Sequence, residues 1–544
     1  MALRSGFVQI FFDFCDWSTV ATLPHISNAK TKVTRGFWTI VFLTMLGVFI
    51  YELYVMLSKY FSYPATVSTD ILYAEQSFPT VTVCNMNPYR YTIVQSNSDF
   101  TSINELMDTY KDAVAGTLTA SGNLGFVSIQ NDSYLRDTRA QDALVLMAAQ
   151  MTTAQLTPAL YTYSDLIQDC TFAGSSCDES DFTQFIDNVY GACYRFNAAE
   201  NLNYTVQREG INFGLKLLVT VSQNTTSSVL DYLPTTRSAG AMLSVDAKGY
   251  YPSVASNGID LSVGYMSAIA ITTTQNVRAK KPYGTCLDEQ PTANNYYTNY
   301  SYTIQQCFDG CKQRNTVSQC NCASPYQNKA DDMTWCTPVL ANFDCLDLLK
   351  GKQLNTSSPN IDQLTDCNCH PSCKETSYAA VSSMASFPAS LYYVATNSEN
   401  GYSGSCYGTS KFASTTDCKT WYNENALVVQ VYFSTLTYDV YTEGCGYGVG
   451  DVINALGGHA GLWLGLSVIS VVEVAGLLLV LFMYCCSGGK IKIRPDAEDM
   501  ENDHRIRAVE DINKELDILE QRHKEYNLSS DSEAEKAAKA EKTE

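Results

Sequence analysis

Basic charge is what this 544-residue sequence lacks most: 36 Lys and Arg stand against 56 Asp and Glu, a formal net charge of −20. A nucleic-acid binder needs a basic face to neutralise phosphates, so that class is excluded. An acidic surface attracts cations instead, weakly and in a salt-dependent way. The motifs of common enzyme classes are missing too. There is no HExxH, no GxxxxGK[ST] and no GxSxG elbow, and Gly444, Gly446, Gly448 and Gly450 lack the dinucleotide spacing and read as a hinge. Neither an enzymatic activity nor a cofactor is expected. No secretory leader is expected either: FVQIFFDF near the start is apolar, but Asp13 and Asp16 interrupt it and no small-residue cleavage site follows.

Long apolar runs are equally scarce, and only two reach the ~20 residues a helix needs to cross a bilayer. The first, GFWTIVFLTMLGVFIYELYVML (36–57), has aromatic residues at both ends and one acid, Glu52, near its edge. The second, LGGHAGLWLGLSVISVVEVAGLLLVLFMY (456–484), is not a plain anchor. It carries Gly457, Gly461 and Gly465 at four-residue spacing, then Ser467, Ser470 and Glu473 at three-residue spacing. The glycines let helices approach closely, whereas hydroxyls and a carboxylate at membrane depth are costly unless they face water or a partner. Steps of four and of three drift in opposite directions round a turn of about 3.6 residues, so a helix break is expected near Gly465, Leu466 and Ser467. Carbonyls exposed at such a break can replace an ion's hydration shell. From this run alone, a pore and a GxxxG dimerising anchor both stay open.

Lys30, Lys32 and Arg35 flank the first run, and Lys490, Lys492 and Arg494 the second, so both termini are expected in the cytosol. The expected division is 1–35 cytosolic, 36–58 first membrane helix, 59–454 extracellular domain, 455–484 second membrane helix with the pore, and 485–544 cytosolic tail. Of 20 cysteines, all but Cys15, Cys485 and Cys486 fall between the runs, as an oxidising compartment requires. Sequons at Asn131, Asn203, Asn224, Asn299 and Asn355 lie there too, whereas one at Asn527 falls in the tail. LKLLVTV (215–221), AMLSV (241–245) and ALVVQVYFSTLTY (426–438) read as strands, and NELMDTYKDAV and AQDALVLMAAQM between Ser102 and Ala159 have helical spacing. The expectation is a β core with helical excursions. Cysteines crowd between Cys307 and Cys373, a spacing expected to staple a rod of loops. Cys367, Cys369, His370 and Cys373 have zinc-like density, but among so many cysteines disulfides are the stronger reading and no metal is expected.

In the tail, Ile506, Val509, Ile512, Leu516 and Leu519 recur every three or four residues, which suits either a short coiled coil between subunits or a solvated amphipathic helix. SSDSEAEKAAKAEKTE at the end has a disordered composition. Cys485 and Cys486 at the inner membrane edge fit S-acylation and equally fit buried thiols.

FPTVTVCNMNPYR (78–90) after the first run and GLWLGLSVISVVE (461–473) in the second resemble the signatures of the degenerin/epithelial sodium channel family, which includes the acid-sensing channels. PYGTC (282–286), CNC (320–322), WCTP (335–338) and CNCHPSC (367–373) follow in the family's order, and the likeness covers about residues 10–485. It implies two transmembrane helices flanking a large disulfide-rich β-core ectodomain with helical finger, thumb and knuckle regions, an α+β fold assembled as a trimeric channel. The family's disulfides, carried over, pair Cys84 with Cys193, Cys170 with Cys177, Cys286 with Cys373, Cys307 with Cys369, Cys311 with Cys367, Cys320 with Cys345 and Cys322 with Cys336. Cys406 and Cys418 are then expected to pair, leaving Cys445 single. Gly465, Leu466 and Ser467 fall on the family's selectivity filter, Ser470 and Glu473 on the pore lining below it, and Asn454 with Ala455 on the degenerin position above the gate. Tyr63 and Tyr283 fall at the contact that couples the ectodomain to the first span, although acid-sensing members carry Trp in place of Tyr283.

This chain departs from the family's pattern in three places. The cytosolic His-Gly pair that follows STV (18–20) is Ala21 and Thr22, so the role of that segment is open. The paired acids of the proton-sensing pocket fall near QNTT (223–226), which is uncharged, with Asp231 as partial substitute, so proton activation is not expected. Asn454 is bulkier than the residues usual at its position, which in relatives favours the open state. The expectation is a plasma-membrane, sodium-preferring, amiloride-sensitive cation channel, a homo- or heterotrimer in the lipid bilayer. It either leaks at rest or answers an extracellular activator that the motifs do not identify. Alternatives of similar topology are an ATP-gated trimeric channel, whose filter and cysteine order do not match, and a two-pass surface receptor without a pore. The topology has a direct check: glycosidase treatment should shift the chain through the five sequons between the runs, and a shift that depends on Asn527 would overturn it.

Overall fold

The computed structural model describes residues 10–12, 14–16, 18–119, 122, 124–225, 228–289, 296–349, 367–394, 406, 412–487, 505–506, 508–509 and 511–524. It forms two compact units, one of residues 63–446 and one of residues 1–62 with 447–544. The longer helices are α1 (Lys32–Phe61), α2 (Thr101–Ala115), α3 (Ser133–Ala149), α4 (Ile304–Cys320), α5 (Leu340–Leu349), α6 (Thr415–Asn425), α7 (Val449–Leu464) and α8 (Val468–Cys486). The strands are β1 (Ala65–Tyr73), β2 (Thr80–Asn85), β3 (Ile167–Phe172), β4 (Ser175–Ser176), β5 (Phe182–Asp187), β6 (Gly191–Phe196), β7 (Leu215–Thr220), β8 (Gly240–Asp246), β9 (Ile259–Ser262), β10 (Tyr265–Val277), β11 (Lys374–Ser386), β12 (Ala426–Phe433) and β13 (Thr437–Cys445), besides a short pair at 76–77 and 205–206.

In the unit of residues 63–446, an 8-stranded sheet has the order β1-β13-β10-β12-β7-β3-β4, with β11 also on β10, and a 5-stranded sheet has the order β9-β8-β2-β6-β5. Both β12 and β13 run parallel to β10, at Ala268 opposite Gln430 and Thr274 opposite Asp439. Aliphatic β7 and β12 are buried along nearly all their length, as strands covered on both faces must be. Phe78 packs edge-on against Phe172, Phe196 and Phe433, with ring centres 5.0, 6.1 and 6.0 Å away. Helix α2 buries Ile103, Leu106, Met107 and Tyr110 and stops at left-handed Gly116 (φ +69°). Helix α3 starts where the Asp132 carboxylate accepts the Leu135 N–H, and it buries Ala140, Ala143, Leu144 and Leu146.

The cysteine-rich end of this unit corrects the expected rod of loops. Thr303 Oγ1 accepts the Gln306 N–H while Gln306 Oε1 accepts the Thr303 N–H, each at 3.3 Å, and this capping box opens the 17-residue helix α4. Cys307 and Cys311, four residues apart, therefore share a face, and they bond Cys369 and Cys367. Cys320 in the last turn bonds Cys345 of α5; Cys322 bonds Cys336, and Cys286 bonds Cys373. The helical period was hidden because so many cysteines at short intervals read as loop staples. Elsewhere Cys84 bonds Cys193, Cys170 bonds Cys177 and Cys406 bonds Cys418, while Cys445 is free and exposed.

In the other unit, α1 (30 residues) and α8 (19 residues) are long and apolar enough to cross a membrane. At about 1.5 Å per residue α1 is roughly 45 Å long, more than the ~30 Å hydrocarbon core, so it outruns the expected span at both ends. Phe37, Ile40, Leu43 and Ile50 on α1 are exposed within the chain. Apolar surface on that scale needs lipid or further protein to cover it. The second expected span is two helices, α7 and α8, with the interruption at residues 465–467.

Losing a disulfide from a small secreted domain costs about 2–5 kcal/mol. Because the Cys311–Cys367 bond ties α4 to a segment far away in sequence inside a large domain, Cys311→Ser should lower surface delivery and leave permeation unchanged in the channels that arrive. Surface biotinylation alongside reversal potentials checks this; normal delivery with altered permeation would contradict it.

Candidate ion pathway

Helix α7 stops because Gly465 turns left-handed (φ +65°, ψ +24°), a conformation that costs other residues roughly 1–2 kcal/mol. Its N–H returns to the Gly461 carbonyl, and the Leu466 N–H reaches back to that of Ala460, both at 3.1 Å. Helix α8 restarts at once. The Ser467 side chain accepts the Ser470 N–H (3.3 Å) and Ser470 Oγ accepts the Ser467 N–H (3.0 Å), a reciprocal cap closed by two serines. The break is thus three residues wide. The last carbonyls of a helix have no intrahelical donor, and its C-terminal end carries partial negative charge, so α7 presents to the break a set of groups suited to a cation.

A second layer comes from the segment before α1. Glu473 Oε2 accepts the Thr19 N–H (2.9 Å), the Thr19 hydroxyl (3.0 Å) and the Ser18 hydroxyl (3.4 Å), and Thr19 Oγ1 also lies 2.7 Å from Ser470 Oγ. Ala21 lies against the break: a Cβ placed on Gly465 would come within 2.7 Å of the Ala21 Cβ and 3.3 Å of its nitrogen. Thr22 precedes a short helix, Leu23–Ser27, whose His25 stacks on Trp38 of α1 at 4.6 Å. Residues 18–25 are therefore held between α8 and α1, even though the family's His-Gly pair is replaced. Sequence reasoning named STV and Ala21 but not their contacts with Glu473, Ser470 and Gly465, and it missed His25 and Trp38. The hydroxyl pair Ser18–Thr19 was the only local signal.

Asn454 is exposed and Ala455 half-buried in the second turn of α7. Of the glycine row, Gly465 is packed against Ala21, whereas a Cβ on Gly457 would meet nothing within 4 Å. Tyr63, itself left-handed (φ +48°), meets Tyr283 edge-on with ring centres 5.6 Å apart. The Tyr283 turn is fixed from three sides: the Arg278 N–H bonds the Cys373 carbonyl (2.8 Å), the Ala279 N–H bonds Glu443 Oε2 (3.0 Å), and a Cβ on Gly284 would lie 2.0 Å from the Ala279 carbonyl oxygen. Asn131, Asn203 and Asn299 are exposed, whereas Asn224 is half-buried with an enclosed amide oxygen; Asn355 lies outside the described residues.

Asp231, read as a partial substitute for the paired acids, is buried and committed elsewhere. Its carboxylate accepts the Thr92 N–H (2.9 Å) and hydroxyl (2.7 Å) and pairs with Arg90 Nε at 3.2 Å. Burial, not a neighbouring carboxylate, pushes up the carboxyls of Asp169, Asp187, Asp246 and Asp309. Among the described residues, no cluster of His, Cys, Asp and Glu is arranged to hold a metal.

A model of the family described as amiloride-sensitive sodium channel matches residues 14–477. The degenerin-like protein asic-2 of Caenorhabditis elegans is 55% identical over 529 residues, 97% of this chain and 96% of that protein. Degenerin mec-4 of Caenorhabditis briggsae is 29% identical over 322 residues (58% of this chain, 39% of that protein), and degenerin deg-1 of C. elegans is 30% identical over 346 (63% and 42%). The chain thus spans nearly all of the first relative and less than half the length of the other two. With two apolar helices, eight disulfides and the family model matched over most of its length, the chain belongs to the amiloride-sensitive sodium channel family, whose members are ion channels and not enzymes.

Proposed function

We propose that this chain is a subunit of a trimeric, sodium-preferring, amiloride-sensitive cation channel of the plasma membrane, with both termini cytosolic and Gly465, Leu466 and Ser467 as its selectivity filter. The observation that carries this reading is the three-residue helix break itself, bounded by left-handed Gly465 and by one reciprocal cap between Ser467 and Ser470, and backed by residues 18–21. Free carbonyls in a narrow ring select by the number and field of their dipoles. Glu473, one layer deeper, concentrates cations by its charge. The sequons at Asn131, Asn203 and Asn299 are exposed, as glycan acceptors on the extracellular domain must be. Tyr63 and Tyr283 couple that domain to the first span.

Substitutions at Ser467 should change the sodium to potassium permeability ratio, and Gly465→Ala should do so through its clash with Ala21. In the Gly465→Ala background, Ala21→Gly should then restore part of the ratio. Reversal potentials read all three, and an unchanged ratio across substitutions at both positions would refute the filter assignment.

Asn454 generates a second expectation, that the channel leaks at rest. Its amide needs hydrogen-bond partners, which a wet, open vestibule supplies more readily than a closed and packed one. A closed state disfavoured by about 1.4 kcal/mol raises the open to closed ratio tenfold. Amiloride-sensitive current without agonist, reduced by Asn454→Ala, is the expected recording. A surface-delivered channel that is silent at rest yet opens to some agonist would refute it.

A further inference from the structure

Cys485 and Cys486 are neighbouring free thiols in the last turn of α8, and both are exposed. The faces of that helix are sharply different. One carries buried Ser470, half-buried Glu473 and buried Tyr484, so it is turned toward the rest of the chain. Cys486 stands on the opposite face, above Phe482, Leu479 and Ala475 at intervals of four, seven and eleven residues. Phe482 is 68% and Leu479 59% exposed, and none of the three side chains bears a hydrogen-bonding group. Such a strip suits acyl chains and nothing polar. Cys485, about 100° further round, stands off the centre of this strip. The 19 residues of α8 measure about 28 Å, close to the ~30 Å hydrocarbon core, so a helix that enters the core near Ser467 reaches the far interface at Cys486. Cys15, the other free thiol of this unit, is buried and serves as an internal contrast.

We infer that Cys486 is a site of S-acylation by a long-chain fatty acyl group, a reading that rests on the cytosolic placement of the end of α8. The thiolate of Cys486 attacks the thioester carbonyl of a long-chain acyl-coenzyme A. A new carbon–sulfur bond forms, the old one breaks, and coenzyme A leaves as its thiol with the proton taken from Cys486; nothing is oxidised or reduced. The acyl chain then lies along Phe482 and Leu479 and holds the last turn of α8 at the interface.

The test uses the full chain expressed in cells with a C-terminal epitope tag. Free thiols are blocked, thioesters are cleaved with neutral hydroxylamine, and the released thiols are tagged with a maleimide polymer that adds one mass step each. One hydroxylamine-dependent step is expected in the wild type, retained in Cys485→Ala and Cys15→Ala and lost in Cys486→Ala. Loss in Cys485→Ala instead, two steps that each single variant removes by one, or no step in a surface-delivered channel would each overturn the assignment. Staining of the tag on intact cells separates the two readings. A tag that needs permeabilisation, combined with no mass step, refutes the acylation alone; a tag stained from outside refutes the topology beneath it.

Discussion

A backbone interrupted at membrane depth must find partners for every group the helix gives up, and the smaller unit of this protein is arranged around meeting that demand at residues 465–467. Gly465 supplies the one conformation that turns the chain without a Cβ in the way. Ser467 and Ser470 exchange two hydrogen bonds so that α8 starts cleanly, and Ser470 then shares its hydroxyl with Thr19. Glu473 is not left as a bare charge: three donors from Ser18 and Thr19 converge on one of its oxygens. The carboxylate thus anchors the segment that lies against the break. Removal of either partner leaves polar groups stranded where water is scarce, which is why such networks are satisfied in full or replaced altogether.

The replaced His-Gly pair is informative in this light. Ala21 occupies the space beneath Gly465 with a single methyl, and its fit is tight enough that the two positions cannot both carry a side chain unchanged. The contact therefore depends on small residues on both sides, while His25 on Trp38 fixes the far end of the segment to α1. The segment is thus tied to α8 through Thr19, to the break through Ala21 and to α1 through His25.

In the larger unit, rigidity has a different source. Disulfides on α4 face one way because Cys307 and Cys311 are one turn apart, so covalent bonds replace the apolar stripe that a helix of this polarity lacks. The turn that presents Tyr283 to Tyr63 is tied to Cys373 and to Glu443 of β13. Gly446 N–H bonds the Pro64 carbonyl at 2.8 Å, which joins the start of β1 to the end of β13 where both strands approach the spans in sequence.

Local information in the sequence determined a good deal. Apolar length marked the spans, period two and period 3.6 marked β7, β8, β12, α2 and α3, and the clash of four- and three-residue spacing marked the break, because each of these is written in neighbours along the chain. The burial of Asp231 against Arg90, the enclosure of the Asn224 amide, the helix under the crowded cysteines and the convergence of Ser18 and Thr19 on Glu473 were decided only by tertiary structure. Thr19 and Glu473 are 454 residues apart. No periodicity spans that distance; the contact exists because the chain leaves the membrane unit, folds a whole domain and returns, and only the packed result says which hydroxyl meets which carboxylate.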